Sequence, residues 1–153
     1  MKNSVLFKEM NDHEYAQCLK TLKAAEKKYK KDALILSAGD TTTKFGLVLD
    51  GSVTVESNDI WGNRTILSHV GKGQFFAETY ALLEDEVLLV DVRANENCRV
   101  RFFTIGSLKN LRQINEPWAI KFICNMLEIS ARKNLTLSGR SFHISPRTIR
   151  ERL

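Results

Sequence analysis

The sequence predicts a mainly β fold, a sandwich or jelly-roll barrel, with one helix before it and a long helix after it. Three observations carry that prediction. From about residue 33 to residue 105, short apolar runs alternate with turn signals at the spacing of a barrel or sandwich. Before and after this stretch, apolar residues recur at intervals of three and four, the period of a helix with a buried face. The chain has 153 residues, 43% hydrophobic and 27% charged, enough for one domain with a core.

Residues 11–31, NDHEYAQCLKTLKAAEKKYKK, are expected as one amphipathic helix. Tyr15, Leu19, Leu22, Ala25 and Tyr29 share a face, and Asn11 or Asp12 is placed to cap it. The lysines at 20, 23, 27, 28, 30 and 31 then form a solvated basic face. Strands follow. ALIL comes first, then FGLVL and SVTVE on either side of Asp50-Gly51, a dipeptide that signals a hairpin. NDIWGNRTILSHV has a second turn at WGN, and GKGQFF, VLLVDVRA and CRVRFFTI complete the series. Residues 78–83 are expected as a single helical turn within the barrel.

A helix resumes at Pro117, a residue suited to a first turn. Positions 116, 119, 123, 126, 130, 133 and 137 make a partly filled heptad; Ile120, Cys124, Leu127 and Ala131 make a second stripe. Apolar residues on two faces suit a helix that packs on its own barrel and on a partner. Gly139 is expected to break this helix. ISPRTIRERL then opens another, with Ser145 as N-cap and Pro146 at the first helical position. Only about two turns of it are present, so the chain is expected to be part of something longer.

Charge separates the two ends. The net charge is +5, and all of the excess lies in residues 132–153; the preceding residues carry equal numbers of basic and acidic groups. A basic tail on a neutral domain points to a boundary and an anionic partner at the C-terminal end. Cys18, Cys98 and Cys124 are far apart, against a zinc site, an iron–sulfur cluster or a disulfide framework. His13, His69 and His143 supply one strand histidine, too few for a metal enzyme on a jelly roll, and their spacing does not require haem. GxSxG, P-loop and HExxH motifs are absent from the sequence. No enzyme activity and no cofactor are therefore expected. The longest apolar run falls short of the roughly 20 residues of a membrane span, so a cytoplasmic protein without a membrane partner is expected.

GQFFAETYALLEDEVLLVDV, from Gly73 to Val92, poses the sharpest question. Glu78 stands among Phe75, Phe76, Ala77 and Tyr80, which are expected in the core, and a buried carboxylate needs a partner.

Several motifs in order carry a resemblance. Ser37-Ala38-Gly39-Asp40 is a Gly-Asp turn after the first strand. Gly46 precedes LVLDGSVTV. Gly73-Gln74-Phe75-Phe76-Ala77-Glu78 is similar to a G-D-x-F-G-E sequence. Val92-Arg93-Ala94 and Cys98-Arg99-Val100 follow as a strand pair, and Ser145 to Leu153 close the chain. In this order they resemble the cyclic-AMP receptor protein / fumarate-nitrate regulator (Crp/Fnr) family over nearly the whole chain.

The resemblance implies a cyclic-nucleotide-binding-like jelly roll (double-stranded β-helix) over residues 1–114. It implies a dimerisation helix over 115–138 and the start of a winged helix-turn-helix DNA-binding domain over 139–153. It implies a homodimer joined by Ile120, Ile123, Met126, Leu127 and Ser130, a small-molecule effector, and DNA contacted through the rest of the C-terminal domain. A stand-alone nucleotide-binding module, or a regulatory domain of another effector protein, is the alternative.

The implied ligand-binding residues are Phe76, Ala77, Glu78, Thr79, Leu88 and Leu89, with Lys133 or Asn134 reaching in from the helix. Glu78 matches the family's ribose-binding glutamate. Ala77 stands at a glycine, and Leu88 and Leu89 stand at the arginine and serine that grip the cyclic phosphate. Leucine offers a phosphate neither charge nor donor. Cyclic AMP is therefore not the expected effector. Arg93 and Arg64 are the other arginines weighed for that role; alternation puts Arg93 on the face opposite Val92 and Ala94.

Overall fold

The computed structural model describes residues 5–83, 85–105 and 111–144; the side chains of 134 and 136–144 lie outside the described residues. Among the described residues eight strands form two antiparallel four-stranded sheets, a jelly-roll sandwich flanked by helices. One sheet runs β1 (Ala25–Tyr29), β8 (Cys98–Thr104), β3 (Lys44–Asp50), β6 (Phe75–Phe76). The other runs β2 (Leu34–Leu36), β7 (Asp91–Ala94), β4 (Ser52–Asn58), β5 (Arg64–Gly71).

The expected helix over 11–31 is two elements. Helix α1 (Asp12–Thr21) starts with a capping box, in which Asn11 Oδ1 accepts from the Glu14 N–H and Glu14 Oε1 accepts from the Asn11 N–H. It ends where Lys23 turns into the left-handed region, φ 53°. Residues 25–29 then pair with β8, and Glu26 meets Arg101 and Arg99 on that neighbour. Strand pairing along a lysine-rich sheet edge overrides a helical spacing that ends by coincidence at Ala25 and Tyr29.

Asp50-Gly51 is not a hairpin. β3 and β4 lie in different sheets, and the dipeptide is the corner between them. A two-residue type I′ hairpin needs positive φ at both residues; here only Gly51 has it, at 78°. A Cβ on Gly51 would lie 2.5 Å from the Asn97 carbonyl oxygen, so this corner packs on the second corner, between β7 and β8. WGN does close a hairpin. Asp59 Oδ1 accepts from the Trp61 and Asn63 N–H groups, leaving Ile60 and Trp61 exposed at the tip.

The apolar runs of β3 and β8 are buried on both faces, because their sheet is the middle layer. Between the sheets lie Val48, Val53, Val70, Phe76, Val92, Ala94, Val100 and Phe102. On the other side, Phe45, Leu47, Leu49 and Phe103 pack against Leu6, Phe7, Trp118, Phe122 and Met126. The strand expected over VLLVDVRA is shorter, beginning at Asp91. Before it, Leu88 pairs by backbone with the turn at 39–40: its N–H donates to the Asp40 carbonyl and its carbonyl accepts from the Gly39 N–H.

Helix α2 (Glu78–Leu82) is the expected short turn, and α3 (Pro117–Ile144) the long helix. α3 does not break at Gly139: it continues through that residue to Ile144. A single glycine costs a helix only about 1 kcal/mol relative to alanine, less than breaking the helix would. Residues 145–153, with the expected cap at Ser145, lie outside the described residues. Asn125 holds α3 to the N-terminal segment by donating to the Leu6 and Lys8 carbonyls, and Lys121 by donating to Glu9 and Glu14. No described helix is long and apolar enough to cross a membrane.

Candidate functional site

Chain geometry explains why Glu78 starts a helix inside the barrel. Ala77 takes a left-handed conformation, φ 66° and ψ 10°, and turns the chain from β6 into α2 without a side-chain cap. This is the position where the resembled motif has glycine, and an L-residue there is strained by about 1 kcal/mol. Just before it, the Phe76 ring lies over Gly46, where a Cβ would come within 2.2 Å of the ring. Phe76 is therefore a buried core residue between the sheets.

The partner of Glu78 comes from α3. Lys133 Nζ donates to Glu78 Oε1 and, at 3.4 Å, to the Phe75 carbonyl. The glutamate side chain is 8% exposed and the lysine 49%, so the charge lies inside and its counter-ion reaches in from the rim. Asn134, the other candidate from α3, has a side chain outside the described residues.

The remaining expected ligand residues differ in exposure, and the Leu89 N–H donates to the Tyr80 hydroxyl on α2 at 3.5 Å. Thr79 is exposed on α2. Leu88 is buried, 1% exposed, and Leu89 is 77% exposed. Neither arginine weighed as a phosphate grip is available. Arg93 Nε is 3.3 Å from Glu56 Oε1, and its Nη1 donates to the Asp32 carbonyl. Arg64 Nε is 3.3 Å from Glu56 Oε2. Glu56 itself is fully buried and also accepts from Thr54 Oγ1 at 2.7 Å. Sequence reasoning missed this cluster. Its signal was present: in SVTVES, alternation sets Thr54 and Glu56 opposite the valines, and β7 pairs Arg93 with Thr54.

Of the five residues expected on a dimer face, two point elsewhere. Met126 is buried in the chain's own core and Ile123 packs against it. Ile120 and Leu127, each 69% exposed, and Ser130 are open to solvent, as is Cys124. The heptad through 119, 123 and 126 faces the barrel. The second stripe, 120, 124, 127 and 131, is left uncovered.

Residues 26–115 match the family profile described as the cyclic nucleotide-binding domain. The chain belongs to that family. Among curated relatives of this cyclic nucleotide-binding domain is the cAMP-activated global transcriptional regulator CRP of Haemophilus influenzae. It is 30% identical over 100 residues, 65% of this chain and 44% of the relative. The chain thus spans less than half of the curated regulator it matches.

Solved structures agree on the fold. The N-terminal domain of a transcriptional regulator from Streptomyces coelicolor superimposes with a TM-score of 0.69 at 15% identity, over 89% of this chain and 93% of that one. The Thermus thermophilus catabolite activator protein gives 0.67 at 23% identity, over 91% and 64%. The regulatory subunit of a cAMP-independent protein kinase A from Trypanosoma brucei gives 0.65 at 17%, over 86% and 44%. The relatives thus include one protein named for activation by cyclic AMP and one named for independence of it. Among the described residues no group of three or more His, Cys, Asp or Glu is placed to hold a metal.

Proposed function

We propose that this cyclic nucleotide-binding domain is the effector-sensing and dimerisation part of a Crp-like transcription regulator, and that its effector is not cyclic AMP. One observation carries the reading. Helix α3 touches the ligand cassette with one face, through Lys133 and Glu78, and leaves an apolar stripe of Ile120, Cys124, Leu127 and Ala131 uncovered on another. A second copy of the same helix suits such a stripe, whose members recur at intervals of four, three and four. A change at the cassette then shifts α3, and through it the relation of two subunits, as a population shift between two arrangements.

DNA binding belongs to a winged-helix domain that follows α3, its first residues falling after Ile144. The reading against cyclic AMP rests on chemistry. Leu88 and Leu89 give its phosphate no charge, and Arg64 and Arg93 are held by a buried carboxylate. Titration calorimetry with cyclic AMP and cyclic GMP tests this. No heat of binding is expected up to millimolar nucleotide, and saturable binding of cyclic AMP at micromolar concentration overturns the reading.

A further inference from the structure

We propose that a groove at the end of the sandwich, between β1 and the β7–β8 corner, is a binding site for a small phosphomonoester. None of its residues is among those implied for the cassette, and the site stands whether or not the chain pairs with a second copy.

Strand register builds the groove. Lys28, Arg99 and Asp50 lie in one row across β1, β8 and β3, and Tyr29 and Cys98 lie in the next. With Lys30 and Asn97 they line a groove of about 600 Å³, within the size range of small-molecule sites. Tyr29 and Cys98 also pack into the core between the sheets, the Tyr29 ring edge-on to Phe102, and so form its floor. The Lys31 N–H donates to Asn97 Oδ1 at 3.0 Å, which ties the chain leaving β1 to the β7–β8 corner. The Asn97 amide nitrogen, a donor without a partner among the described residues, is left for a ligand.

The polar groups are donors with a surplus of positive charge. Arg99 Nε and Nη2 donate to Asp50 Oδ2 at 3.0 and 2.7 Å, so that pair is neutral. Glu26 is shared between Arg99 and Arg101, and Glu96 accepts from Ser52 Oγ. Among the described residues Lys28 and Lys30 have no ion-pair partner. Burial pushes the Tyr29 hydroxyl and the Cys98 thiol up from their ordinary values, so the floor adds no negative charge. Two unpaired ammonium groups and an amide donor match a phosphomonoester, which carries close to two negative charges at neutral pH and offers three acceptor oxygens. The aromatic floor gives its organic part an apolar contact. A polyanion fits less well, because the Gly51 corner closes one side: a Cβ there would lie 2.8 Å from Cys98 Cβ.

The experiment follows amide shifts of the ¹⁵N-labelled chain at about pH 7.5 and physiological salt, with phenyl phosphate and with phenyl sulfate, a monoanion of the same shape. Phenyl phosphate should give saturable shifts at Tyr29, Lys30, Asn97 and Cys98, with a Kd on the order of 1 mM. Phenyl sulfate should bind at least about fivefold more weakly. Lys28→Gln/Lys30→Gln should weaken phenyl phosphate about tenfold. Lys27→Gln/Lys31→Gln removes the same charge from exposed neighbours outside the groove, and should leave the affinity within about twofold. Equal affinity for the two anions, equal losses in the two double variants, or shifts that do not saturate at these residues overturn the proposal.

Discussion

Lys133, on the long C-terminal helix, neutralises Glu78, which lies 55 residues earlier at the start of the short helix inside the barrel. This contact joins α2 to the helix that carries the exposed apolar stripe. Glu78→Gln and Lys133→Met should each lower stability, and the double variant by less than the sum. The coupling expected from chemical denaturation is on the order of 1 kcal/mol, since Lys133 is half exposed. Additive effects would mean that the two side chains do not stabilise each other.

Glu56 depends on its arginines more heavily, because its side chain is fully buried. Removing Arg93, with Arg93→Met, leaves that carboxylate with the Thr54 hydroxyl and the more exposed Arg64. A loss of about 3 kcal/mol is expected in urea unfolding. Arg64→Met should cost less, because Arg64 is 47% exposed against 28% for Arg93. The reverse order would contradict the assignment.

Acid sensitivity has identifiable sources. The Lys121 ammonium, and after it the Asn11 N–H, hold the Glu14 carboxyl below its ordinary value of 4.5. Arg101 does the same for Glu26. A folded value below the unfolded one gives stabilisation that is full above about pH 4.5 and is lost as pH falls through the depressed value. Melting temperature should therefore drop on acidification below pH 4.5. Lys121→Met should lose part of that dependence, with its melting curves converging on the unaltered chain's at low pH.

Ala77 holds a left-handed backbone that glycine adopts freely. Ala77→Gly should be neutral or stabilising by up to about 1 kcal/mol, the relief of strain being partly offset by the greater freedom of the unfolded chain. Ala77→Val should destabilise by more than that, since a β-branched residue tolerates positive φ poorly. Thermal melts of the two variants check the sign.

Much of this fold was legible in the sequence because the sheets bury alternating or continuous apolar runs. Phe45 to Leu49 and Val100 to Phe103 mark strands by composition, and Pro117 marks the start of α3. Errors arose where a local signal has two tertiary outcomes. Asp50-Gly51 turns the chain equally well within a sheet or between sheets, and residues 25–29 continue a helical spacing while pairing as a strand. Glu78 was legible as a buried charge. Its partner depended on a register between α3 and the barrel, which is set by distant packing of Trp118, Phe122 and Asn125. The two stripes of α3 were visible as a pair, but which one meets the barrel was not, and so Met126 was assigned to the wrong side.

The central claim is that the uncovered stripe of α3 joins two copies of the chain. Sedimentation velocity at tens of micromolar tests it most directly, on the unaltered chain and on Ile120→Glu/Leu127→Glu, both exposed positions whose change spares the core. The unaltered chain should sediment at twice the mass of one chain and the variant at the mass of one. A chain that sediments as a monomer, or a dimer that survives both glutamates, contradicts the claim.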